Sequence, residues 1–301
     1  MVDQSCLEKL KCVKKFMIKN FADLSDINTL PQKSGIYIFW GEGALPLYIG
    51  KSVNIRSRVM SHMRAADEAK MIAQSRRVEY VETAGEMGAL LLEAWLIKQQ
   101  SPLYNIRLRR LRSLCTIKLI NTLGALTPKV ITRQDLEVGQ EEGMYGLFGS
   151  THSALKKLRE LASQHNLCMG LLGLEKISKR GCFGVQLRTC QGACVGLEDR
   201  VVHDQRLQQA LIDLKIHVWP FEGSIHVVEQ EGNWVQRHHI NNWRYLGTWC
   251  SKSNQTSTVD HHQFDLDTYK ILVKPIMLGS VNIEPANFNV QAQGEGLIVS
   301  E

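Results

Sequence analysis

Residues 34–52 read SGIYIFWGEGALPLYIGKS, two short runs rich in Ile, Tyr, Phe and Trp on either side of GEGALP. That composition makes β-strand, turn, β-strand the natural reading. With Trp40 paired to Leu45 around a four-residue loop, a common hairpin size, Tyr37 falls directly opposite Tyr48. Period-two alternation then sends Tyr37, Phe39 and Tyr48 to one face and Ile36, Ile38, Leu47 and Ile49 to the other, the core face. Taken alone, the two phenols are an ordinary cross-strand aromatic pair.

After the hairpin, SVNIRSRVMSHMRAADEAKM carries a helical stripe of Ile55, Val59 and Met63, with Ser52 or Asn54 able to cap its start. A short strand, RRVEYVET, precedes AGEMGALLLEAWLIKQQSP, a long apolar helix stopped near Pro102 with Leu90, Ala94 and Ile97 packing inward. The chain leaves this unit through LYNIRLRRLRS, which places a domain boundary near Ser113. Beyond it follow a hairpin in TIKLINTLGALTPKVIT, a polar loop EVGQEEG, a strand YGLFGS, a helix capped by Ser150 or Thr151, a Cys-rich stretch over 168–194, a helix around DQRLQQALIDLKI and several short β-like runs. The expected class is α/β of the α+β kind: an N-terminal extension over 1–27, a domain over 28–112 with a small, mainly antiparallel sheet flanked by helices, and a mixed C-terminal domain over 113–301.

The formal charge of +6 is concentrated: residues 28–112 carry 13 Lys or Arg against 7 Asp or Glu, whereas residues 113–301 carry 18 against 19. A basic segment of this kind attracts a polyanion, nucleic acid first and an acidic membrane second. No apolar run approaches the roughly 18 residues of a membrane helix. The first 20 residues, with Asp3, Glu8 and scattered lysines, show no signal peptide, so a cytoplasmic protein is expected. In that compartment the eight Cys read as thiols or metal ligands rather than disulfides.

Two helices carry residues able to do chemistry. Arg58 has His62 one turn later on the same side, at the edge of the buried stripe, an arrangement that is otherwise a solvated face. Glu93 sits inside ALLLEAWLI, where an unpaired carboxylate is costly to bury and needs a cation, an Arg or a cleft. A helix-edge Glu paired with a nearby Arg is the alternative.

Together GIY, ten residues, YIG, Arg58 ten positions after Tyr48, Glu93 within LLEAWLIK, and Asn105 in PLYN twelve after Glu93 resemble a GIY-YIG nuclease domain over about residues 30–110. The forms YIGKS and LLEAWLIKQQSPLYN are most similar to the N-terminal nuclease of the UvrC excinuclease family. The resemblance continues through YGLFGS and GCFGVQLRTCQGACVG into DQRLQQALIDLKI and DLDTYKILVKP, and is strongest to the short homologues of that family. These lack the second nuclease half and the tandem helix-hairpin-helix module of full-length UvrC. One incision, on the 3′ side of a lesion, is therefore expected rather than two.

Phosphodiester hydrolysis needs an activated water and neutralised phosphoryl charge. The resemblance implies that Glu93 holds one Mg²⁺ or Mn²⁺, a hard cation whose other positions suit water and phosphate oxygens. Tyr48 is expected to act as base or water-positioning group with Tyr37 in support, their phenols acidified by Lys51 and His62. Arg58 would clamp the scissile phosphate, Asn105 would complete the pocket by hydrogen bonding, and Gly35 and Gly50 would let backbone and substrate approach closely. Lys51, Arg56, Arg58, Arg107, Arg109, Arg110 and Arg112 are the expected grip on DNA phosphates. The implied partners are damaged double-stranded DNA and a UvrB-type loading protein with UvrA upstream.

Cys168, Cys182, Cys190 and Cys194 are separated by 14, 8 and 4 positions. From spacing alone they are either buried thiols or four thiolates around a metal. The resemblance favours an iron–sulfur cluster of the four-iron four-sulfur type over Zn²⁺. Cys6, Cys12, Cys115 and Cys250 lack comparable spacing, and neither the Asp260 to Asp267 stretch nor His238-His239 is assigned a metal. A reading from another class is a non-catalytic DNA-binding iron–sulfur module derived from such a nuclease, which the intact motif argues against. A restriction or mobile-element nuclease would want a recognition domain that this chain does not resemble.

Overall fold

The structure, a computed structural model, describes residues 20–23, 27–106, 114–132, 141–259 and 264–286. The chain divides into two units: one joins the residues up to Asn105 to those from Phe221 onward, the other spans Ile106–Pro220. The sequence boundary near Ser113 lies eight residues past the first division, and the single C-terminal domain expected over 113–301 is shared between the units.

The first unit is built on β1 (Asn20–Asp23), β2 (Gly35–Trp40), β3 (Pro46–Ser52), α1 (Ile55–Arg64), α2 (Ala69–Gln74), β4 (Arg77–Glu82) and α3 (Glu86–Gln100). Its antiparallel sheet runs in the order β1-β4-β2-β3. The hairpin forms as expected, but its register differs. Trp40 pairs with Pro46 and Phe39 with Tyr48, and the irregularity between them leaves Leu47 bulged, so Tyr37 lies opposite Gly50 rather than Tyr48. One extra residue shifts the alternation by one. Leu47 consequently joins Tyr37, Phe39, Ile55, Val59 and Val78 in the core cluster on the aromatic side, not the isoleucine side. Both faces of β2 are buried, because α1 contributes Ile55 and Val59 to that cluster and α3 packs against β2 and β3.

The helix expected after the hairpin starts as predicted, with Asn54 Oδ1 accepting from Ser57 N at 3.0 Å. It then stops at Arg64, where Ala65 is extended and a short 3₁₀ turn, Ala66–Glu68, leads into α2. Met63 is exposed, and His62 occupies the buried position instead. In contrast, α3 is buried on nearly every side, including Met87, Leu91, Ala94, Trp95 and Ile97. A helix apolar all round must be covered all round.

The second unit holds β5 (Cys115–Thr122), β6 (Ala125–Thr132) and β7 (Met144–Phe148) in the order β6-β5-β7. They are followed by α4 (Thr151–Gln164), a single turn α5 (Phe183–Gln186) and α6 (Arg200–Leu211). Ser150 caps α4, accepting from Ser153 N at 3.2 Å. Ala154, Leu158 and Leu161 of α4 meet Leu207 and Leu211 of α6 and Ile117 of β5 in one core. The chain then returns to the first unit as β8 (Ile225–Glu231), β9 (Trp234–Asn241), β10 (Arg244–Cys250), β11 (Gln255–Thr258), α7 (Leu266–Met277) and β12 (Asn282–Pro285). These strands form an antiparallel sheet ordered β11-β10-β9-β8-β12. Among the described residues no helix is long and apolar enough to cross a membrane.

Candidate functional site

Tyr37, near the start of β2, is 1% exposed and its phenol lies across the chain at Gly50: a Cβ there would stand 2.3 Å from the Tyr37 oxygen. The glycine of YIG is thus required by Tyr37, and a Cβ on Gly35 would meet the Val81 carbonyl at 2.1 Å. Both glycines permit close packing inside the protein, where close approach of substrate was expected. Tyr48 extends from the same face, its ring 6.2 Å from that of Tyr37, and is half-buried.

The Tyr37 oxygen is 2.7 Å from His62 Nε2, and His62 Nδ1 is bonded to the Glu68 carboxylate. A carboxylate only accepts, so His62 carries its proton on Nδ1 and Tyr37 O–H donates to Nε2. Burial lowers the His62 pKa, against the pull of Glu68, and leaves the imidazole neutral at pH 7. Glu68 is a site residue that the sequence reading missed. Six residues along an unbroken helix it would project from a different side than His62; the break at Ala65 turns it back.

Arg58, exposed on α1, bonds the Tyr37 phenol and acts electrostatically on Tyr48 and Glu93. The expectation that Lys51 and His62 acidify the phenols is corrected. Lys51 Nζ is paired with Glu86, His62 is uncharged, and burial raises the pKa of both Tyr37 and Tyr48, with Arg58 as the opposing cation. Glu93 accepts from Lys51 N at 3.0 Å. Burial pushes its carboxyl up to about 7, against the lowering effects of that N–H, Lys51 and Arg58.

Asn105 lies at the end of a segment that covers the free edge of β3: Leu103 N donates to Pro46 O at 3.1 Å and Tyr104 N to Leu47 O at 2.8 Å. Asn105 continues the pairing with its side chain, Oδ1 accepting from Ile49 N and Nδ2 donating to Ile49 O, both at 2.9 Å. It holds β3 in place through both bonds.

Three family models match the chain in order: a UvrC-like GIY-YIG domain over 33–106, the UvrC/Cho excinuclease middle domain over 114–213 and the excinuclease Cho C-terminal domain over 224–289. The excinuclease Cho of Shigella flexneri is 45% identical over 269 residues, 87% of this chain and 90% of that protein. The chain belongs to the UvrC/Cho excinuclease family. It is accordingly an endonuclease carrying that family's GIY-YIG domain. The Cho protein of Salmonella typhi is 47% identical over 86% of this chain and 87% of its own length. Among solved structures, the GIY-YIG domain of UvrC from Thermotoga maritima, described as bound to its catalytic magnesium, is 31% identical over 27% of this chain and 92% of that one, with a TM-score of 0.25.

For a UvrC/Cho excinuclease, the structure gathers Tyr37, Tyr48, Arg58, His62 and Glu93, and keeps Asn105 and Lys51 beside them. Arg56 turns its Nε to the Leu30 carbonyl at 2.6 Å, which makes it a brace between α1 and the preceding loop. Arg107, Arg109, Arg110 and Arg112 lie outside the described residues, as do Asp260, His261 and His262. Asp265 and Asp267 pair with Lys98, and His238 bonds Glu229 and Thr248.

In the second unit the sulfurs of Cys168, Cys182, Cys190 and Cys194 all lie within 4.8 Å of one another. Leu171 N points at Cys168 Sγ (3.5 Å), Cys182 N at Cys194 Sγ and Gly192 N at Cys190 Sγ (both 3.4 Å). Burial raises the Cys168 thiol pKa and pushes Cys182 up to about 11; Cys194 stays low despite burial, through the Cys182 N–H and the neighbouring thiols. Such N–H groups around four converging sulfurs fit a metal centre, since thiolate ligands are stabilised by donors of this kind. Beside the four cysteines, His203 Nε2 accepts from Cys168 N at 3.2 Å, which anchors the loop to α6, and its Nδ1 meets Asp204 at 3.0 Å.

Proposed function

We propose that the chain nicks damaged duplex DNA once, on the 3′ side of a lesion, after UvrA- and UvrB-type proteins have loaded it, as a divalent-metal-dependent step of nucleotide excision repair. The observation that carries the reading is Glu93, a half-buried carboxyl pushed up to about pKa 7 beside one guanidinium and two phenols. An acid so placed gains most from a bound cation, and Mg²⁺ or Mn²⁺ suits a single carboxylate completed by water and phosphate oxygens. When bound, such an ion supplies Lewis-acid stabilisation of phosphoryl charge.

The protein groups then divide the work. Arg58 is exposed and offers a planar fork to the scissile phosphate. Tyr48, the less buried phenol, orients the attacking water; its phenolate, formed by release of its own proton to solvent, takes the proton of that water. Burial, Glu93 and Glu68 raise the Tyr48 pKa and Arg58 lowers it, so neutralising Glu93 removes one of the effects that oppose Arg58. Tyr37, whose proton is committed to His62, holds Arg58 in place as acceptor. A small basic domain grips phosphate rather than sequence, which leaves lesion choice to the loading partners.

The four cysteines are proposed to hold an iron–sulfur cluster, as in the UvrC proteins that they resemble. Their compact spacing favours a second reading, one Zn²⁺: Zn–S bonds of about 2.3 Å put tetrahedral thiolates roughly 3.8 Å apart, and a cubane spreads them further. Anaerobic protein with about four iron and four sulfide per chain supports the cluster; one zinc supports the alternative.

A strand-resolved assay on duplex carrying a defined bulky lesion, with and without the loading proteins, tests the activity. One metal-dependent nick, absent in Glu93→Gln, is expected. Wild-type nicking by Glu93→Gln would remove the catalytic assignment, and equal cutting of undamaged duplex would remove the repair reading.

A further inference from the structure

The inward face of β9 alternates Trp234, Gln236, His238 and Ile240, all buried. Two polar residues on a core face need partners there. Gln236 finds its partner in the residue just before the cap of α3, and His238 meets α3 through Glu229. Gly85, at the N-cap, supplies no side-chain cap of its own, and the first turn of any helix has orphan N–H groups.

The C-terminal sheet satisfies them. Ala84 N donates to Gln236 Oε1 (2.8 Å), Met87 N to Glu229 Oε1 (2.8 Å) and Gly88 N to Glu229 Oε2 (2.7 Å). His238 holds Glu229 through Nε2 (3.0 Å) and is itself fixed by Thr248 at Nδ1 (2.7 Å), with the Tyr245 hydroxyl on the same threonine (2.7 Å). A Cβ on Gly85 would stand 2.2 Å from Glu229, and one on Gly88 would stand 2.7 Å from His238. Both glycines therefore have the size that this contact demands. Hydrogen bonding by the helix and His238 keeps the Glu229 carboxyl below its usual pKa despite burial, so it faces the positive end of the helix dipole as an anion.

The other end of the helix is held too. Lys98, with its side chain 5% exposed, pairs with Asp265 and with Asp267 at 3.0 Å, at the start of α7. Asp265 also caps α7, accepting from Thr268 N at 3.0 Å.

We infer that the C-terminal module is a clamp on the helix that carries Glu93, with Glu229 as a positioning residue that sets where the Glu93 carboxylate stands. This rests on Glu93 holding the metal. The module thereby acts on catalysis through α3 without touching substrate, and small displacements of a catalytic group are costly.

The test uses the full chain, comparing Glu229→Gln and Glu229→Ala with Lys33→Ala. The last removes only the exposed pair that Lys33, just before β2, makes with Glu231 of the same module. In variants verified as folded by circular dichroism, the Mg²⁺ concentration for half-maximal nicking should rise about tenfold or more and kcat should fall, with the KM for DNA within twofold. Lys33→Ala should match wild type. Hydrogen exchange at Met87 and Gly88 should accelerate in the Glu229 variants. Folded Glu229→Gln with wild-type metal dependence overturns the clamp. If Glu93→Gln still cuts, the metal assignment fails instead, so the two failures are separable.

Discussion

Around Tyr37 in the first unit, the polar groups are already bound to one another: phenol to imidazole, imidazole to Glu68, guanidinium to phenol. Around Cys168 in the second unit, four thiols face one another with three backbone N–H groups as their donors. The nuclease pocket is organised before any ion enters, and burial there works against the charge of the Glu93 carboxyl. At the four cysteines the side chains do not bind one another's charges in that way, so an ion held there would tie together the segments that bring them. Losing metal from the first should cost activity and leave the fold; losing it from the second should cost the fold.

The sharpest way to break this contrast is Glu93→Gln. Nicking should fall by at least about a thousandfold, since the proposed metal ligand is removed. Stability of metal-free protein should move the other way. With its folded pKa raised from 4.5 to about 7, Glu93 contributes fully below the unfolded value, and that contribution is lost as pH rises through 7. At pH 8 in chelator, Glu93→Gln should therefore be more stable than wild type by up to about 3 kcal/mol, with no difference at pH 4. Denaturant titrations at both pH values check it.

If the four cysteines hold the proposed metal centre, Cys168→Ser should cost several kcal/mol, confined to the second unit, because metal bound there would be folding energy. A melting curve that splits into two steps, with nuclease-unit amides still protected from exchange, is the expected outcome; an unchanged single transition would make the thiols a simple packed cluster. Asn105→Ala comes next, at about 2 kcal/mol for two buried backbone partners left unpaired, with a lower kcat as β3 loosens. Smallest is Glu68→Gln, about a tenfold loss of activity. Glu68 raises the His62 pKa, so its loss should shift any His62-dependent limb of the pH profile to lower pH.

What could be read from sequence followed the range of the signal. The hairpin, the Asn54 cap, the stop of α3 before Pro102 and the isolation of Glu93 each depend on neighbours within a turn or two. The hairpin register did not follow, because the bulge at Leu47 is chosen by packing against Ile55 and Val59 as much as by the loop. His62 was placed on the correct helix but too near the surface, and Glu68 was invisible because nothing local marks the break at Ala65. The grip of Glu229 on α3 spans more than 140 positions. Its local trace was a helix, ALLLEAWLI, with no polar face to give to water.

That long reach also has a consequence in time. At ribosomal speeds of about 5–20 residues per second, Glu229 leaves the ribosome on the order of ten seconds after α3 does. Through that interval the helix bearing Glu93 has open amides at its head and an unmatched lysine at its tail, so under the proposed clamp a nascent chain should bind its metal poorly until the strands beyond Phe221 have arrived.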